Sequence, residues 1–342
     1  MAEPILSIRD LTVEFDTEDG VVRAVTNVSY DLQAGETLGV VGESGSGKSV
    51  SVMTMLGLIP RPPGRIVSGE ALYKGRDLLT MRSKELREVR GGEVAMIFQD
   101  PMTSLNPVLT IGYQITEAIK IHRPKMSDKE VHARGVHLLE VVGVPSAARR
   151  FEQYPHEFSG GMRQRAMIAM SIANDPAILI ADEPTTALDV TIQAQIVEVM
   201  RAAQEEANAA TILITHDLGL IAELADRVVV MYAGRIVELG DVYTIFNSPR
   251  HPYTVGLMNS LARLDAEQDW LEPIPGQPPS LISPPPGCAF HPRCALSQGR
   301  ARCRESIPEL RRFGEGGIHL SACHFAEELE RGRLASSAAP TS

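Results

Sequence analysis

Eight consecutive residues in the first fifty have the types and spacing needed to hold a phosphate chain. They match the pattern G-x-x-x-x-G-K-[ST] and comprise Gly42, Glu43, Ser44, Gly45, Ser46, Gly47, Lys48 and Ser49. The glycines let the backbone curl so that successive N–H groups face one anion. The lysine is expected to neutralise the β- and γ-phosphates, and the final serine hydroxyl is expected to hold Mg²⁺.

The elements on either side fit a phosphate-binding loop. The apolar run 37–41 predicts a short buried strand before the loop, and residues 50–58 predict a helix that ends before Pro60. Such a helix presents its positive N-terminus to the phosphate. The alternative is a Gly- and Ser-rich turn between unrelated elements, which does not explain the strand–loop–helix order.

Two carboxylates follow another apolar strand. Asp182 and Glu183 come directly after the run 178–181. Asp182 is predicted to reach the Mg²⁺ shell through water, and Glu183 to orient and deprotonate the water that attacks the γ-phosphate. The alternative is an acidic pair at the start of a helix, which the phosphate-binding loop elsewhere in the chain disfavours.

A second anion-binding element lies further along the chain. Ser159, Gly160 and Gly161 precede a predicted helix over 163–173, whose N-terminus favours an anion. A single bound nucleotide does not need two such loops. We therefore expect the second loop to serve another subunit.

Gln99 and His216 each follow a predicted strand and complete a series of motifs. In this order and spacing, the motifs resemble the nucleotide-binding subunits of ABC transporters over about residues 4–250. The resemblance implies that Gln99 touches Mg²⁺ and the attacking water, that His216 senses the γ-phosphate, and that Phe15 stacks on adenine. The alternatives are a surface glutamine, a structural histidine at a strand end, and plain core packing for the phenylalanine.

The same resemblance implies a full set of ligand-binding residues. Mg²⁺ is expected at Ser49, Gln99 and Asp182, and catalysis is expected from Glu183, His216 and Gln99. In the family, the Ser159 loop closes over the γ-phosphate held by the facing subunit of a head-to-tail dimer. The residues expected to bind ATP are Phe15, the whole loop from Gly42 to Ser49, Ser159, Gly160, Gly161 and Asp189.

Three stretches resemble a narrower branch, the ATPases of oligopeptide and dipeptide importers. These stretches are 106–107, 251–254 and 274–279, and with the cysteines that follow they extend the resemblance over nearly the whole chain. The loop at 159–161 has Phe158 and Met162 at its ends, where the common form is Leu-Ser-Gly-Gly-Gln. This variant is typical of the peptide-importer branch, and it leaves the contacts of the missing glutamine unassigned.

The resemblance implies an ATP-hydrolysing subunit that powers peptide import. Its expected partners are a second ABC ATPase subunit, favoured as a heterodimer, two membrane-spanning permease subunits and, through the complex, an extracytoplasmic peptide-binding protein. Its expected place is the cytoplasmic face of the membrane, as a peripheral protein. The alternative is a soluble ABC-type ATPase of DNA repair, translation or iron–sulfur assembly, while complete catalytic residues disfavour a non-catalytic module.

The implied fold class is α/β: a P-loop ABC ATPase domain with a mixed sheet around a parallel core, an antiparallel β-subdomain and a helical subdomain. This domain is expected over 1–250, with the helical subdomain at about 100–173. A C-terminal extension over 251–342 is expected to contain a cysteine site at about 286–325 and a disordered tail at 335–342.

Composition narrows the possible partners. The chain has 342 residues and a formal net charge of −10 at pH 7, which argues against a nucleic-acid partner. No run approaches the ~20 apolar residues that span a bilayer, and the first residues lack the pattern of a secretory signal. A membrane role is therefore expected to come through partners.

Four cysteines lie within a short C-terminal stretch: Cys288, Cys294, Cys303 and Cys323. Stabilising disulfides are rare in the cytosol, so clustered thiols favour a metal. The gaps of five, eight and nineteen residues lack the C-x₂-C pairs usual in structural zinc sites, although thiolates suit zinc and iron–sulfur clusters alike. Importers with a similar tail carry a [4Fe–4S] cluster, so a structural cluster is expected here, with Zn²⁺ or metal-free thiols as alternatives.

Overall fold

The computed structural model describes residues 3–100, 104–185, 190–260, 274–314 and 318–329. The chain divides into two compact units, which we call the helical unit and the β-rich unit. The helical unit comprises residues up to 7, 31–37 and 72–215. The β-rich unit comprises residues 8–30, 38–71 and 216 onwards. The domain boundary predicted near residue 250 rests on where the sequence motifs end. The two compact units do not test it, so it stays a prediction.

The described residues contain both strands and helices. The strands are β1 (Leu6–Thr17), β2 (Gly20–Leu32), β3 (Thr37–Val41), β4 (Gly64–Tyr73), β5 (Arg76–Asp77), β6 (Val94–Ile97), β7 (Ile178–Asp182), β8 (Ala210–Thr215), β9 (Arg227–Tyr232), β10 (Arg235–Asp241), β11 (Arg311–Arg312) and β12 (Leu320–Ser321). The α-helices are α1 (Lys48–Met55), α2 (Ser83–Val89), α3 (Ile111–His122), α4 (Asp128–Val141), α5 (Ala147–Phe151), α6 (Gly160–Ser171), α7 (Val190–Ala207), α8 (Leu218–Leu224), α9 (Val242–Asn247), α10 (Pro252–Asn259) and α11 (Ala301–Glu305).

In the helical unit, β6, β7 and β8 form a parallel sheet. Every residue of β7 and β8 is buried, which explains why the sequence of these strands is almost wholly apolar or β-branched. Because the strands are parallel, the residues that follow them emerge at one edge of the sheet. Gln99 after β6 and Glu183 after β7 are therefore placed at the same edge.

The helices of this unit begin at capping residues. The Thr110 hydroxyl accepts a hydrogen bond from the N–H of Tyr113 (3.1 Å) at the start of α3, and Ser127 caps α4 in the same way. Ser159 caps α6, so this helix begins at Gly160. The sequence had predicted a start at residue 163, because the cap and the two glycines were assigned to the preceding loop.

In the β-rich unit, β3 runs parallel to β9, and β9 forms an antiparallel hairpin with β10. The hairpin turns at Ala233 and Gly234, whose φ values of 47° and 76° fit a type I′ turn. β10 pairs antiparallel with β12, and β12 with β11. A second sheet has the strand order β2, β1, β4. The unit thus combines parallel and antiparallel pairs, as the mixed-sheet prediction required.

The strands and helices predicted around the motifs are all present, with ends that differ by a few residues. The strand β4 and the long helix α7 were not predicted. The proline-rich stretch 274–286 has neither helix nor strand, and the predicted tail at 335–342 lies outside the described residues. Among the residues that the structure describes, no helix is long and apolar enough to cross a membrane.

Candidate nucleotide-binding site

The phosphate-binding loop, residues 42–49, joins the end of β3 to the start of α1. Gly42 has a φ of +154°, and a Cβ there would lie 2.2 Å from the carbonyl oxygen of Met231. Gly47 has a φ of +97°, and a Cβ there would lie 2.3 Å from the carbonyl oxygen of Ala24. A backbone oxygen cannot move aside as a flexible side chain can, so close packing explains why both places hold glycine.

Two buried side chains of the loop offer hydrogen-bonding groups for a phosphate. The Lys48 ammonium, in a residue only 5% exposed, donates to the carbonyl oxygens of Gly42 (2.7 Å) and Glu43 (3.1 Å). The Ser46 hydroxyl is buried and has no hydrogen-bond partner in the described part of the chain. A buried hydroxyl without a partner costs free energy, which a ligand with acceptor oxygens would recover. The loop therefore fits a phosphate group.

Two residues from the last quarter or so of the chain contact this loop at Glu43. The Arg293 guanidinium forms a two-pronged ion pair with the Glu43 carboxylate (2.7 and 2.9 Å). The Tyr253 hydroxyl accepts a hydrogen bond from the Glu43 N–H at 2.7 Å. Neither contact was predicted, although the stretch 251–254 had been noted as a mark of the importer branch.

In the helical unit, the end of β7 positions the two predicted carboxylates. Asp182 is buried as the last residue of the strand, and Glu183 follows with a φ of +48°. The Glu183 N–H donates to the carbonyl oxygen of Ile214 (2.8 Å), which extends the pairing with β8 by one residue. The Gln99 side-chain amide donates to the Glu183 carboxylate at 3.2 Å, so these two predicted site residues are brought together. A left-handed backbone at a non-glycine residue is costly and often marks a functional position.

The second predicted anion loop stands at the start of α6. The Ser159 hydroxyl accepts a hydrogen bond from the N–H of Met162 at 3.3 Å. Ser159 and Gly160 are exposed. No described atom outside the helix's own backbone and the adjacent residues lies within 4 Å of the place that a Cβ at Gly160 would occupy. The surroundings of Gly160 within the chain therefore leave room for a larger residue.

The residues around this loop connect it to the segment that follows β7. Phe158 is buried, and the Arg150 guanidinium lies 5.8 Å from the centre of its ring, which accounts for an aromatic residue at the first signature position. The side-chain amide of the buried Gln164 donates to the carbonyl oxygen of Pro184 at 2.8 Å. This hydrogen bond holds the segment that directly follows Glu183.

Three other predicted site residues are placed individually. Phe15 is half-buried on β1, with its ring beside Gly64. His216 directly follows β8 and is exposed. Asp189 lies outside the described residues. The roles that the resemblance gives to these three residues stay predictions.

The four predicted cysteine ligands line one small cavity of the β-rich unit, with a volume of about 10 Å³. All four are free thiols. Burial raises the pKa of Cys288 to about 11 and that of Cys323 to about 12, and it also raises the pKa of Cys294 and of Cys303. Among the described residues, no three or more His, Cys, Asp or Glu side chains are arranged to hold a metal ion. The predicted metal site is therefore not confirmed.

Comparison with known proteins decides the family. Residues 25–186 match the ABC transporter family, and residues 237–303 match the C-terminal region of the oligopeptide/dipeptide transporter family. The dipeptide transport ATP-binding protein DppD of Bacillus subtilis (strain 168) is 52% identical over 292 residues, which cover 85% of this chain and 87% of that protein. This chain belongs to the ABC transporter ATP-binding family.

Other relatives of this ABC subunit share nearly its whole length. The oligopeptide transport ATP-binding protein OppD of Bacillus subtilis (strain 168) is 54% identical over 84% of this chain and 80% of its own length. The dipeptide transport ATP-binding protein DppD of Escherichia coli (strain K12) is 48% identical over 94% of this chain and 96% of its own length. The predicted class of ABC ATPase is confirmed.

Solved structures agree with the fold of the ABC subunit. The ATP-binding cassette MJ0796, in a dimeric post-hydrolysis state bound to ADP and Pi, superposes with a TM-score of 0.62 at 25% identity. The superposition covers 69% of this chain and 98% of the cassette. The P-loop ABC ATPase fold predicted from the motifs is confirmed, and the cysteine-rich extension is a prediction that this likeness does not reach.

Proposed function

We propose that this ABC subunit hydrolyses ATP to power the import of dipeptides or oligopeptides. The observation that carries the proposal is the presence, in one chain, of a complete phosphate-binding loop and of a segment at 237–303 that matches the oligopeptide/dipeptide transporter family. Relatives named as dipeptide and oligopeptide transport ATP-binding proteins support the same substrate class. A soluble ATPase of DNA repair, translation or iron–sulfur assembly is not favoured by these relatives.

ATP binding is assigned to the phosphate-binding loop. Its backbone N–H groups, the Lys48 ammonium and the Ser46 hydroxyl are suited to hold the phosphates. Ser49, Gln99 and Asp182 are the proposed oxygen ligands of Mg²⁺. When bound, Mg²⁺ supplies positive charge that stabilises the phosphate oxygens during hydrolysis.

Hydrolysis is assigned to Glu183 as the general base. Its left-handed backbone at the end of β7 turns the chain sharply at the residue that must meet the attacking water. The Gln99 amide donates to the same carboxylate and so restricts its orientation. The Gln164 side chain donates to the carbonyl oxygen of Pro184 and so supports the residue that follows Glu183. A base held by two supports keeps its geometry at little entropic cost when substrate binds.

A second subunit is proposed to complete each ATP site. Gly160 is exposed and its surroundings within the chain leave space for a Cβ, so the described residues give no reason for a glycine there. A close approach by another molecule does give a reason, because only glycine lets a backbone come near without a side chain between. We propose a head-to-tail dimer in which the loop at 159–161 faces the phosphates of the partner, with a related ATPase as the second subunit.

The complex is proposed to lie at the cytoplasmic face of the membrane. Two permease subunits and an extracytoplasmic peptide-binding protein complete it, since ATP hydrolysis alone moves no peptide. ATP must favour the closed dimer over the open one for the cycle to do work. Mechanical coupling is assigned to the region 100–173, which carries the helices α3 to α6 of the helical unit.

A structural [4Fe–4S] cluster at the four cysteines is proposed, with Zn²⁺ as the alternative. Four thiols line one cavity, and four thiolates suit both groups. Because burial raises the pKa of all four thiols, binding of either metal group must displace protons and strengthens as pH rises.

The metal proposal is tested by composition. Anaerobically purified protein should be brown and contain about four irons per chain. Colourless protein with a single zinc would show that the site holds Zn²⁺ and no cluster. Protein without metal would contradict both assignments. Cys294→Ser should lose the metal and unfold at a lower temperature, whereas unchanged unfolding would contradict a structural role.

The central test uses Glu183→Gln in the assembled transporter. This change keeps the shape of the side chain and removes the base, so ATP turnover should fall by about 10²–10⁴-fold while ATP binding persists. Glu70→Gln is the matched control, because Glu70 is an exposed residue of β4, outside the region assigned to coupling. Full turnover in Glu183→Gln would contradict the assignment of the base.

Peptide import is tested in cells that lack this chain. Uptake of a labelled dipeptide or short oligopeptide should be restored by the wild-type chain and not by Glu183→Gln. The tagged chain should also copurify with two membrane-spanning proteins. If the tagged chain instead copurified in an active ATPase complex without membrane proteins, the alternative of a soluble ABC-type ATPase would be favoured.

A further inference from the structure

Glu43 is an unexpected residue for a phosphate-binding loop. It occupies the second place of the loop, and its carboxylate carries the same sign of charge as the phosphates that the loop is built to hold. A carboxylate on the same loop weakens the binding of an anion, unless a cation neutralises the carboxylate. The chain supplies that cation from a distant segment.

Arg293 neutralises Glu43 through an ion pair of good geometry. Two guanidinium nitrogens donate to the two carboxylate oxygens at 2.7 and 2.9 Å, so the pair is held in both distance and orientation. The Arg293 side chain is 5% exposed and the Glu43 side chain 26% exposed. The pair is therefore screened less by water and salt than an ion pair at the surface.

Arg293 is itself fixed by the chain around it. Its Nε donates to the carbonyl oxygen of Pro275 (2.8 Å), and one of its terminal nitrogens donates to the carbonyl oxygen of Ile274 (3.3 Å). The guanidinium also lies 5.8 Å from the ring centre of Tyr232 and 6.0 Å from that of Phe290. The guanidinium thus reaches Glu43 from a prearranged position.

The same C-terminal part of the chain holds the backbone of Glu43. The buried Tyr253 hydroxyl accepts a hydrogen bond from the Glu43 N–H at 2.7 Å. The Tyr253 ring packs against Tyr232 and Phe290, with ring centres 4.6 and 5.5 Å apart. The aromatic residues that flank Arg293 are therefore the same ones that position the hydroxyl group of Tyr253.

We propose that Arg293 is a positioning residue for the phosphate-binding loop, which it keeps fit for ATP by neutralising and orienting Glu43. The proposal rests on ATP binding at this loop and adds a residue outside every motif of the ATP site. Arg293 directly precedes Cys294, one of the four cavity-lining thiols. Because coupling between sites is reciprocal, ATP binding at the loop should also stabilise the segment that carries Arg293 and Cys294.

The test is a double-mutant cycle on the full chain, with equilibrium binding of a fluorescent ATP analogue as the readout. Arg293→Ala leaves a carboxylate without its cation beside the phosphates, so the dissociation constant should rise about tenfold. Glu43→Gln removes the charge, and its own dissociation constant serves as the reference for the double variant. The double variant should resemble Glu43→Gln, because no carboxylate remains for the arginine to neutralise.

Rescue by Glu43→Gln separates positioning from mere structural support. If Arg293 served only to hold residues 274 and 275, its loss would weaken binding equally with or without the carboxylate, and that result would overturn the proposal. Arg293→Lys keeps the charge without the two-pronged geometry, so its dissociation constant should lie between those of wild type and Arg293→Ala. A wild-type constant in both Arg293→Ala and Arg293→Lys would also overturn the proposal.

Arg300→Ala provides the matched control. Arg300 belongs to the same C-terminal segment and forms a two-pronged ion pair with Glu328, at 2.8 Å for both contacts. Its loss should leave the dissociation constant for the ATP analogue unchanged. Wild-type protein that binds no analogue would defeat the proposed ATP site itself, whereas normal wild-type binding without the Arg293 effect would defeat only this inference.

Reciprocal coupling gives a second readout on the same variants. ATP should slow hydrogen exchange at the backbone amides of the segment that carries Arg293 and Cys294 in the wild-type chain. The protection should be lost in Arg293→Ala. Equal protection in the two proteins would show that the ion pair does not couple the loop to the segment.

Discussion

The phosphate-binding loop and the loop at 159–161 both place small residues before the start of a helix, yet they are supported in opposite ways. Around the first loop, Gly42 and Gly47 are packed against backbone oxygens, and Glu43 is held by residues from the last quarter or so of the chain. The second loop is exposed at Gly160, and the hydroxyl of Ser159 caps its own helix.

This difference separates two reasons for a glycine. At Gly47 the reason is inside the chain, because the backbone conformation and a carbonyl oxygen 2.3 Å away from any Cβ exclude a larger residue. At Gly160 the chain itself leaves open space. The first loop can be understood from one subunit alone, while the second has to be understood from the proposed dimer. Substitutions at the two glycines should therefore fail in different assays.

Gly47→Ala should have the largest effect. The added Cβ meets the carbonyl oxygen of Ala24, and the loop must shift, so ATP binding by the isolated chain should weaken by about 10²-fold or more. Gly35→Ala is a matched control, since Gly35 also has a positive φ, +72°, but nothing lies within 4 Å of its Cβ position. Near-normal ATP binding in Gly47→Ala would contradict the view that the first loop, unlike the second, needs its glycine for packing within the chain.

Gly160→Ala should act only in the assembled transporter. The isolated chain should unfold at the wild-type temperature and bind ATP normally, because the methyl group meets open space. Overpacking by one methyl group at an interface costs about 1–3 kcal/mol, so ATPase activity of the complex should fall roughly tenfold or more. The comparison fails if the isolated chain is as impaired as the complex, or if the complex is unaffected.

The remote support of the phosphate-binding loop should depend on pH through His251. Its Nδ1 accepts a hydrogen bond from the N–H of Tyr253 at the start of α10, and burial lowers the pKa of His251 to about 3. Between pH 6.5 and 3 the unfolded chain binds a proton there and the folded chain does not. The free energy of unfolding should therefore fall as pH falls, by up to about 1.4 kcal/mol per pH unit.

His251→Asn keeps an acceptor for the helix cap and removes the titration. Chemical denaturation at a series of pH values should show a flatter slope below pH 6.5 for this variant than for wild type. His156→Asn is the control, because His156 is exposed and should leave the slope unchanged. Equal slopes for wild type and His251→Asn would show that the buried imidazole contributes nothing to the pH dependence.

Ser159→Ala should have the smallest effect on the isolated chain. It removes a cap from an exposed helix start, which costs about 1 kcal/mol of unfolding free energy. Thr110→Ala removes the comparable cap of α3, with its hydrogen bond to the N–H of Tyr113 at 3.1 Å, and should cost a similar amount. A much larger loss for Ser159→Ala in denaturation experiments would reveal support for this loop within the chain.

The sequence predicted those parts of the candidate site whose residues are close together along the chain. The phosphate-binding loop, the carboxylates after β7 and the Ser-Gly-Gly stretch at 159–161 are recognisable because each is a pattern of a few consecutive residues. Arg293 and Tyr253 were missed as supports, since no local period connects residues 250 and 210 positions from Glu43. The stretch 251–254 gave a signal, but it indicated a family branch and no contact.

Two missed elements show different limits. In β4 only the first residue and two residues near its end are buried, and Gly69 has a positive φ, so no alternation could be read. In α7 a signal did exist, because the buried residues Ile196, Met200 and Ala203 follow a helical spacing. The sequence pattern therefore does contain the information for this helix.

The separation between Glu43 and Arg293 also sets an order of events during synthesis. At about 5–20 residues per second, a ribosome needs roughly 12–50 s to add the 250 residues between the two partners. The entropy cost of closing so long a loop is only a little larger than that of closing a shorter one, because the cost grows with the logarithm of loop length. The delay is kinetic: a nascent chain displays a complete nucleotide motif well before the tyrosine and arginine that hold it have left the ribosome.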